Sequence, residues 1–153
     1  MNPIRNSAKA IIVKNNCILL TRNFDEDGNW YLLPGGGQNS GETIHQALHR
    51  EVYEETKASI TIGSLLLVRE YIAKNHEFAD VEPEVHQIEY MFSCCLKGDY
   101  SPEMGITPDI YQNGVEWIEL SRLSEFRIYP SVLKKLLKNG IPIDSEIYIG
   151  DVN

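Results

Sequence analysis

The sequence predicts an α/β or α+β fold on a mixed sheet, and three observations lead there. Runs rich in β-branched and aliphatic residues read as strands at 7–22, 58–73, 85–98 and 115–120. One long stretch, Ile44 to Thr56, has helical periodicity instead. Strands therefore precede, flank and follow a single long helix, an order that sets a helix against a sheet.

In chain order, "SAKAIIVKNNCILLTR" (7–22) is two apolar runs around Lys14, Asn15 and Asn16, which predicts a β-hairpin. "NFDEDGN" reads as a polar loop, and "WYLLPGGGQNSGE" as a short strand broken by Pro34 and three glycines. Thr43 and Gln46 form a capping box, which starts a helix at Ile44 that ends near Thr56. "ASITIGSLLLVREYIA" (58–73) is one long strand or two short ones, and "KNHEFADVEPE" is a loop. "VHQIEYMFSCCLKG" (85–98) is a strand with Gln87, Glu89 and Met91 on one face, and the polar pair there reads either as lining the pocket or as the sheet's exposed face. After the loop "DYSPEMGITPDIYQNG" come a short strand, "VEWIEL", and a brief helical turn, "SRLSEF". Pro130 opens a last helix that turns Val132, Leu133, Leu136 and Leu137 inward and stops at Asn139, Gly140 and Pro142.

Length and composition fit one domain over 1–153, with 42% hydrophobic and 24% charged residues. Apolar runs such as "SLLLV" are too short for a membrane span and no leader pattern opens the chain, so a cytoplasmic protein is expected. Three cysteines, two of them adjacent at Cys94 and Cys95, predict buried reduced thiols rather than disulfides. A net charge of -8 argues against a nucleic-acid duplex as partner. It does not exclude a phosphate ester held through divalent cations.

"HREVYEETK" (49–57) poses the main question, because Glu51, Glu54 and Glu55 crowd the end of a helix that favours cations. At about 100° per residue, Ala47, Leu48 and Val52 share a stripe with Ile44, and the acids fall inside or beside it. His45, Gln46, His49 and Tyr53 take the opposite side and read as surface residues. Inward carboxylates need nearby cations, and Arg50 and Lys57 are too few within the helix to serve these three and Glu42. Carboxylates at i, i+3 and i+4 are expected to converge and to suit Mg²⁺ or Mn²⁺. The glycine cluster is neither a P-loop nor a dinucleotide fingerprint.

"GGQNSGETIHQALHREVYEETKA" (36–58) resembles the Nudix box, G-x5-E-x7-R-E-U-x-E-E-x-G-U. Gly36, Glu42, Arg50, Glu51, Val52, Glu54, Glu55 and Ala58 match it, and Lys57 replaces the usual glycine. That position ends the helix in a left-handed conformation, so lysine is expected to cost about 1 kcal/mol and to leave the acids in place. The resemblance implies an α/β/α sandwich around a central mixed sheet. It also implies hydrolysis of a nucleoside diphosphate linked to another moiety, with ADP-ribose or a nucleotide sugar slightly preferred, although Pro83 lies too far from the box to support ADP-ribose. The alternatives are a nucleoside triphosphate house-cleaning enzyme and a non-catalytic nucleotide-binding module, the latter disfavoured by retention of the box acids.

By the family's pattern Glu51 and Glu55 are the principal Mg²⁺ ligands, Glu54 a further ligand or the base, and the Gly36 carbonyl a backbone ligand. Arg50 and Glu42 orient them. Glu116, just before Trp117, takes the place of a carboxylate that some members use outside the box as ligand or base. Arg22 is a candidate phosphate contact, and Tyr31, with Phe24 or Trp30, a candidate base-stacking residue. The expected partners are a small nucleotide substrate and, as an option, a second copy in a homodimer, with no membrane.

Overall fold

The computed structural model describes residues 2–142 and 146–153. The first hairpin forms as expected: β1 (Arg5–Lys14) and β2 (Cys17–Asp25) pair through Val13↔Ile18 and Lys14↔Cys17. Asn15 and Asn16 between them have φ of 52° and 59°, the left-handed pair that a tight two-residue hairpin requires. The expected polar loop is mostly strand. β2 runs to Asp25 and β3 (Gly28–Leu32) returns after two residues, because the cross-strand pairs Phe24↔Asn29 and Asp25↔Gly28 continue the ladder into polar sequence.

Gly35–Gly37 forms a short β4 against β1. Helix α1 spans Ile44–Thr56 with both halves of the Thr43/Gln46 capping box made. β5 (Ile60–Ile72) is one long strand and pairs antiparallel with β6 (His86–Leu96), joined through a 3-10 turn at Ala73–Asn75. β7 (Gln112–Glu119) pairs antiparallel with β2 and leads into a 3-10 turn at Leu120–Glu125. β8 (Ile128–Tyr129) adds parallel to β3.

The expected last helix is a single turn, α2 (Leu133–Leu136), which still buries Leu133 and leaves Val132 and Leu136 half-buried. A further strand, β9 (Tyr148–Asp151), adds parallel to β5 and was not expected. Its four residues are too few to show a period, and its pairing depends on the edge that β5 offers.

The sheet order is β8-β3-β2-β1-β6-β5-β9, with β4 on β1 and β7 on β2. It is mixed, since β1 and β6, β3 and β8, and β5 and β9 run parallel. Adjacent residues of β1 serve different layers. Ala8, Ala10 and Ile12 pack with Leu48 and Val52 of α1, while Ile11 packs with Leu133 and Leu137 around α2. That is the α/β/α layering expected from the box. The small alanines let α1 lie close to the sheet, which sets how near its acids come to β4.

Candidate active site

β4 is pinned to β1 through Ser7↔Gly37, Ala8↔Gly36 and Lys9↔Gly35. A side chain at Gly35 would run into the Ala8 carbonyl, and a Cβ at Gly36 would lie 2.5 Å from Glu51 Oε2. Glycine is needed there so that backbone and helix acid can meet.

Arg50 organises the acids. Its Nε and Nη2 donate to the two Glu42 oxygens at 2.6 and 2.9 Å, and Nη2 also reaches the Gly37 carbonyl at 2.9 Å. Nη1 donates to Glu51 at 2.7 Å and to Glu54 at 3.3 Å. The guanidinium holds Glu42 down at about 2, and the carboxylates raise Arg50 in turn.

Glu55 turns elsewhere. It is 3% exposed and accepts the Gly35 N–H at 2.9 Å. Lys9, itself buried on β1, donates to the Gly35 carbonyl at 2.9 Å. Burial pushes the Glu55 carboxyl up to about 8 against the pull of Lys9 and the Gly35 N–H, and a hydrogen-bonded Asp109 carboxyl adds to the rise.

The expected convergence of the box acids is split: Glu51 and Glu54 meet on Arg50 Nη1, while Glu55 turns to the Gly35 N–H. Among the described residues no three acidic, histidine or cysteine side chains form a ready metal cage. Arg50 is bonded to both Glu51 and Glu54, while Glu55 is drawn to Gly35. A further cation comes from outside the helix, Lys9 on β1. Its signal was present: a lone lysine among the apolar residues of "SAKAIIV". Asp109 had no comparable signal.

The helix end is also less unfavourable than its acids suggested. Lys57 N–H closes on Tyr53, Gly105 N–H and Gln112 Nε2 bond the Glu55 carbonyl, Thr107 N–H bonds that of Glu54, and the Tyr100 hydroxyl that of Thr56. The 97–111 loop thus supplies donors to carbonyls that cations would otherwise favour.

Arg22, Tyr31 and Glu116 come together, but away from the box. Arg22 donates to Glu116 Oε1 and the Tyr31 hydroxyl to Glu116 Oε2 at 2.9 Å. Leu20↔Glu116 and Arg22↔Tyr31 are cross-strand partners, so the trio shares the face of Leu20, which packs in the α2 layer. The Tyr31 ring meets that of Phe126 edge-on at 5.4 Å on the same side. Burial and the Glu116 hydrogen bond push Tyr31 up to about 12.

Gln87 and Glu89 are not on an exposed face. Glu89 is buried and pairs with Arg69 at 2.6 Å. Cys94 is buried, which pushes its thiol up to about 12, but Cys95 is exposed, contrary to the expectation of two buried thiols. His45, His49 and Phe24 are exposed, and Trp30 is half-buried.

An acid-rich helix packed through alanines onto a curled mixed sheet, with its carboxylates gathered against a glycine loop, defines a class as well as a site. A NUDIX domain model matches residues 3–139, and the chain belongs to that family. It is a hydrolase of pyrophosphate bonds in small nucleotide derivatives. Solved structures agree on the fold. A Nitrosomonas europaea NUDIX hydrolase is 18% identical, with TM-score 0.69, covering 99% of this chain and 81% of that one. A Burkholderia pseudomallei MutT NUDIX hydrolase is 24% identical, with TM-score 0.62, covering 78% and 86%. A Francisella tularensis bifunctional NMN adenylyltransferase/ADP ribose pyrophosphatase is 22% identical, with TM-score 0.65, covering 91% of this chain and 42% of that one. No helix among the described residues is long and apolar enough to cross a membrane.

Proposed function

We propose that this chain hydrolyses the diphosphate of a nucleoside diphosphate linked to a second moiety, such as ADP-ribose or a nucleotide sugar, in the cytoplasm. Glu51, Glu54 and Glu55 would hold Mg²⁺ or Mn²⁺ with the Gly36 carbonyl. The observation that carries the reading is the approach of Glu51 to Gly36, where a single Cβ would fill the gap between carboxylate and backbone. Every donor in the set is an oxygen, which fits a hard divalent cation. When bound, such an ion neutralises diphosphate charge and makes water more acidic.

The chain's own residues do the rest. Arg50 aims Glu51 and Glu54 and, through Gly37 and Glu42, fixes the loop beside them. Glu54 has the most exposed carboxyl of the three named acids bonded to Arg50, at 35%, so it is best placed to take a proton from the attacking water. The Gly35 N–H and Lys9 hold Glu55. Asp109, against Glu55, is the better candidate for the carboxylate outside the helix than Glu116, which lies across the sheet with Arg22 and Tyr31.

The test is a screen of nucleoside diphosphate derivatives and triphosphates for Mg²⁺-dependent release of monophosphate, phosphate or pyrophosphate. AMP from ADP-ribose supports the proposal. Turnover of triphosphates alone moves the chain to the house-cleaning reading.

A further inference from the structure

Five of the six arginines are spent on carboxylates: Arg22 on Glu116, Arg50 on Glu42, Arg69 on Glu89, Arg122 on Glu125 and Arg127 on Asp25. Arg5, the first residue of β1, is the exception. It is exposed, and among the described residues it has neither an ion-pair partner nor a hydrogen-bond acceptor.

That guanidinium lies on the glycine loop of the box. A Cβ at Gly37 would come 2.6 Å from Arg5 Nη2, 2.7 Å from its Nε and 3.0 Å from its Cζ, so the plane of the group lies across the glycine. The start of β1 is tied to the same segment: Gln38 N–H donates to the Asn6 carbonyl at 3.0 Å, Asn6 Nδ2 donates to Gln38 Oε1 at 3.3 Å, and Ser7 is in register with Gly37. Gly37 is also where Arg50 reaches across from α1, donating to the carbonyl at 2.9 Å.

The two faces of β4 carry opposite charge. One residue before Gly37, a Cβ at Gly36 would meet Glu51 instead, because successive positions of a strand face opposite ways. Neighbouring residues of a strand are about 3.3 Å apart, so both groups fall within the length of one nucleoside diphosphate derivative. Two other cations beside the box are occupied: Arg50 is bonded to Glu42, Glu51, Glu54 and the Gly37 carbonyl, and buried Lys9 to the Gly35 carbonyl. A guanidinium with its donors free matches two oxygens of a phosphate at once.

We propose that Arg5 is a substrate-binding residue that clamps a phosphate of the diphosphate from the face of β4 opposite Glu51. The inference rests on the nucleotide-hydrolase reading and deepens it. Gly37 thereby has a role separate from that of Gly36: its bare face is the bed on which the guanidinium lies.

The test is calorimetric binding of methylenediphosphonate, whose P–C–P bridge resists hydrolysis, to the full chain with Mg²⁺, alongside kinetics on whichever nucleoside diphosphate derivative is turned over. Arg5→Gln is expected to weaken binding about tenfold and to raise KM by a similar factor, with kcat changing less than about threefold. Arg5→Lys, which keeps the charge and loses the fork, is expected to recover only part of the loss. Because Arg5 has no partner to lose among the described residues, the melting temperature of Arg5→Gln should stay within about 2 °C of the unsubstituted chain's. Gly37→Ala should push the guanidinium aside and weaken binding too, and the two substitutions together should fall well short of the product of their separate effects. No binding of the diphosphonate by the unsubstituted chain, unchanged binding or KM in Arg5→Gln, or fully multiplicative effects would overturn the assignment. Arg5-dependent binding without turnover of any nucleotide derivative would overturn the hydrolase reading alone, and turnover with a KM that ignores Arg5 would overturn this inference alone.

Discussion

Arg50 touches Glu42, Glu51, Glu54 and the Gly37 carbonyl, so the charges of the site are coupled through one side chain. Removing the charge of an acid is therefore a cleaner probe than removing the arginine. Glu54→Gln and Glu55→Gln are each expected to lower turnover at least about a hundredfold while circular dichroism and melting still report a folded protein. Full activity of both with Mg²⁺ present would rule out the proposed mechanism. Asp109→Asn should lower kcat more than Glu116→Gln does, and the reverse order would return the outer carboxylate to "VEW". Glu116 also shows where sequence stops short. Its position before a tryptophan is visible, but its face is decided by the Leu20↔Glu116 pairing across two strands, which no local pattern encodes.

Glu55 adds a pH prediction at the same scale. Burial raises its carboxyl from an ordinary 4.5 to about 8, so the metal-free folded chain binds this proton more tightly than the unfolded chain does. The stabilising contribution is fully present below 4.5 and is lost as pH rises toward about 8. Melting in a chelator should therefore fall across that window, Glu55→Gln should flatten the slope, and Mg²⁺ should raise the melting temperature most at its upper end.

At the scale of elements, α1 was the most legible part of the chain. Its period, its capping box and its last residue were all readable, because these are local properties of successive side chains. Lys57 takes φ 58° and ψ 7°, the left-handed C-cap that the family's glycine suits. Its ion pair with Glu103 is long, at 3.4 Å, and solvent-exposed, so little is lost with the side chain. Lys57→Gly should stabilise the protein by about 0.5–1 kcal/mol in urea unfolding and leave kcat unchanged. What could not be read was where the 97–111 loop goes. Gly105 and Thr107 satisfy the last carbonyls of α1 only because tertiary packing brings that loop back, and nothing in "SPEMGITPD" reports this.

For the whole molecule, the sheet ends at β9 on the edge of β5, and the brief sequence of β9 has no period to read. Asp151 fastens it to the turn after β5, accepting from Ile72 N–H at 2.9 Å and Asn75 Nδ2 at 2.7 Å, with His76 Nε2 at 2.6 Å. Burial works against the charge, yet these partners together hold the carboxyl at about 2. The sign follows from a depressed folded value: the stabilisation is present above the ordinary 3.8 and is lost as pH falls through about 2. Asp151→Asn removes the charge at every pH, so it should mimic acid at this one place. Because β9 is an edge strand, the effect should be local opening rather than global unfolding. Hydrogen exchange is expected to quicken at the β5 amides facing β9, near Val68, Arg69 and Glu70, while the buried amides of α1 around Leu48 and Val52 keep their protection. If the whole chain loses protection together, β9 is a cooperative part of the core. If nothing changes, the Asp151 contacts do not fasten it.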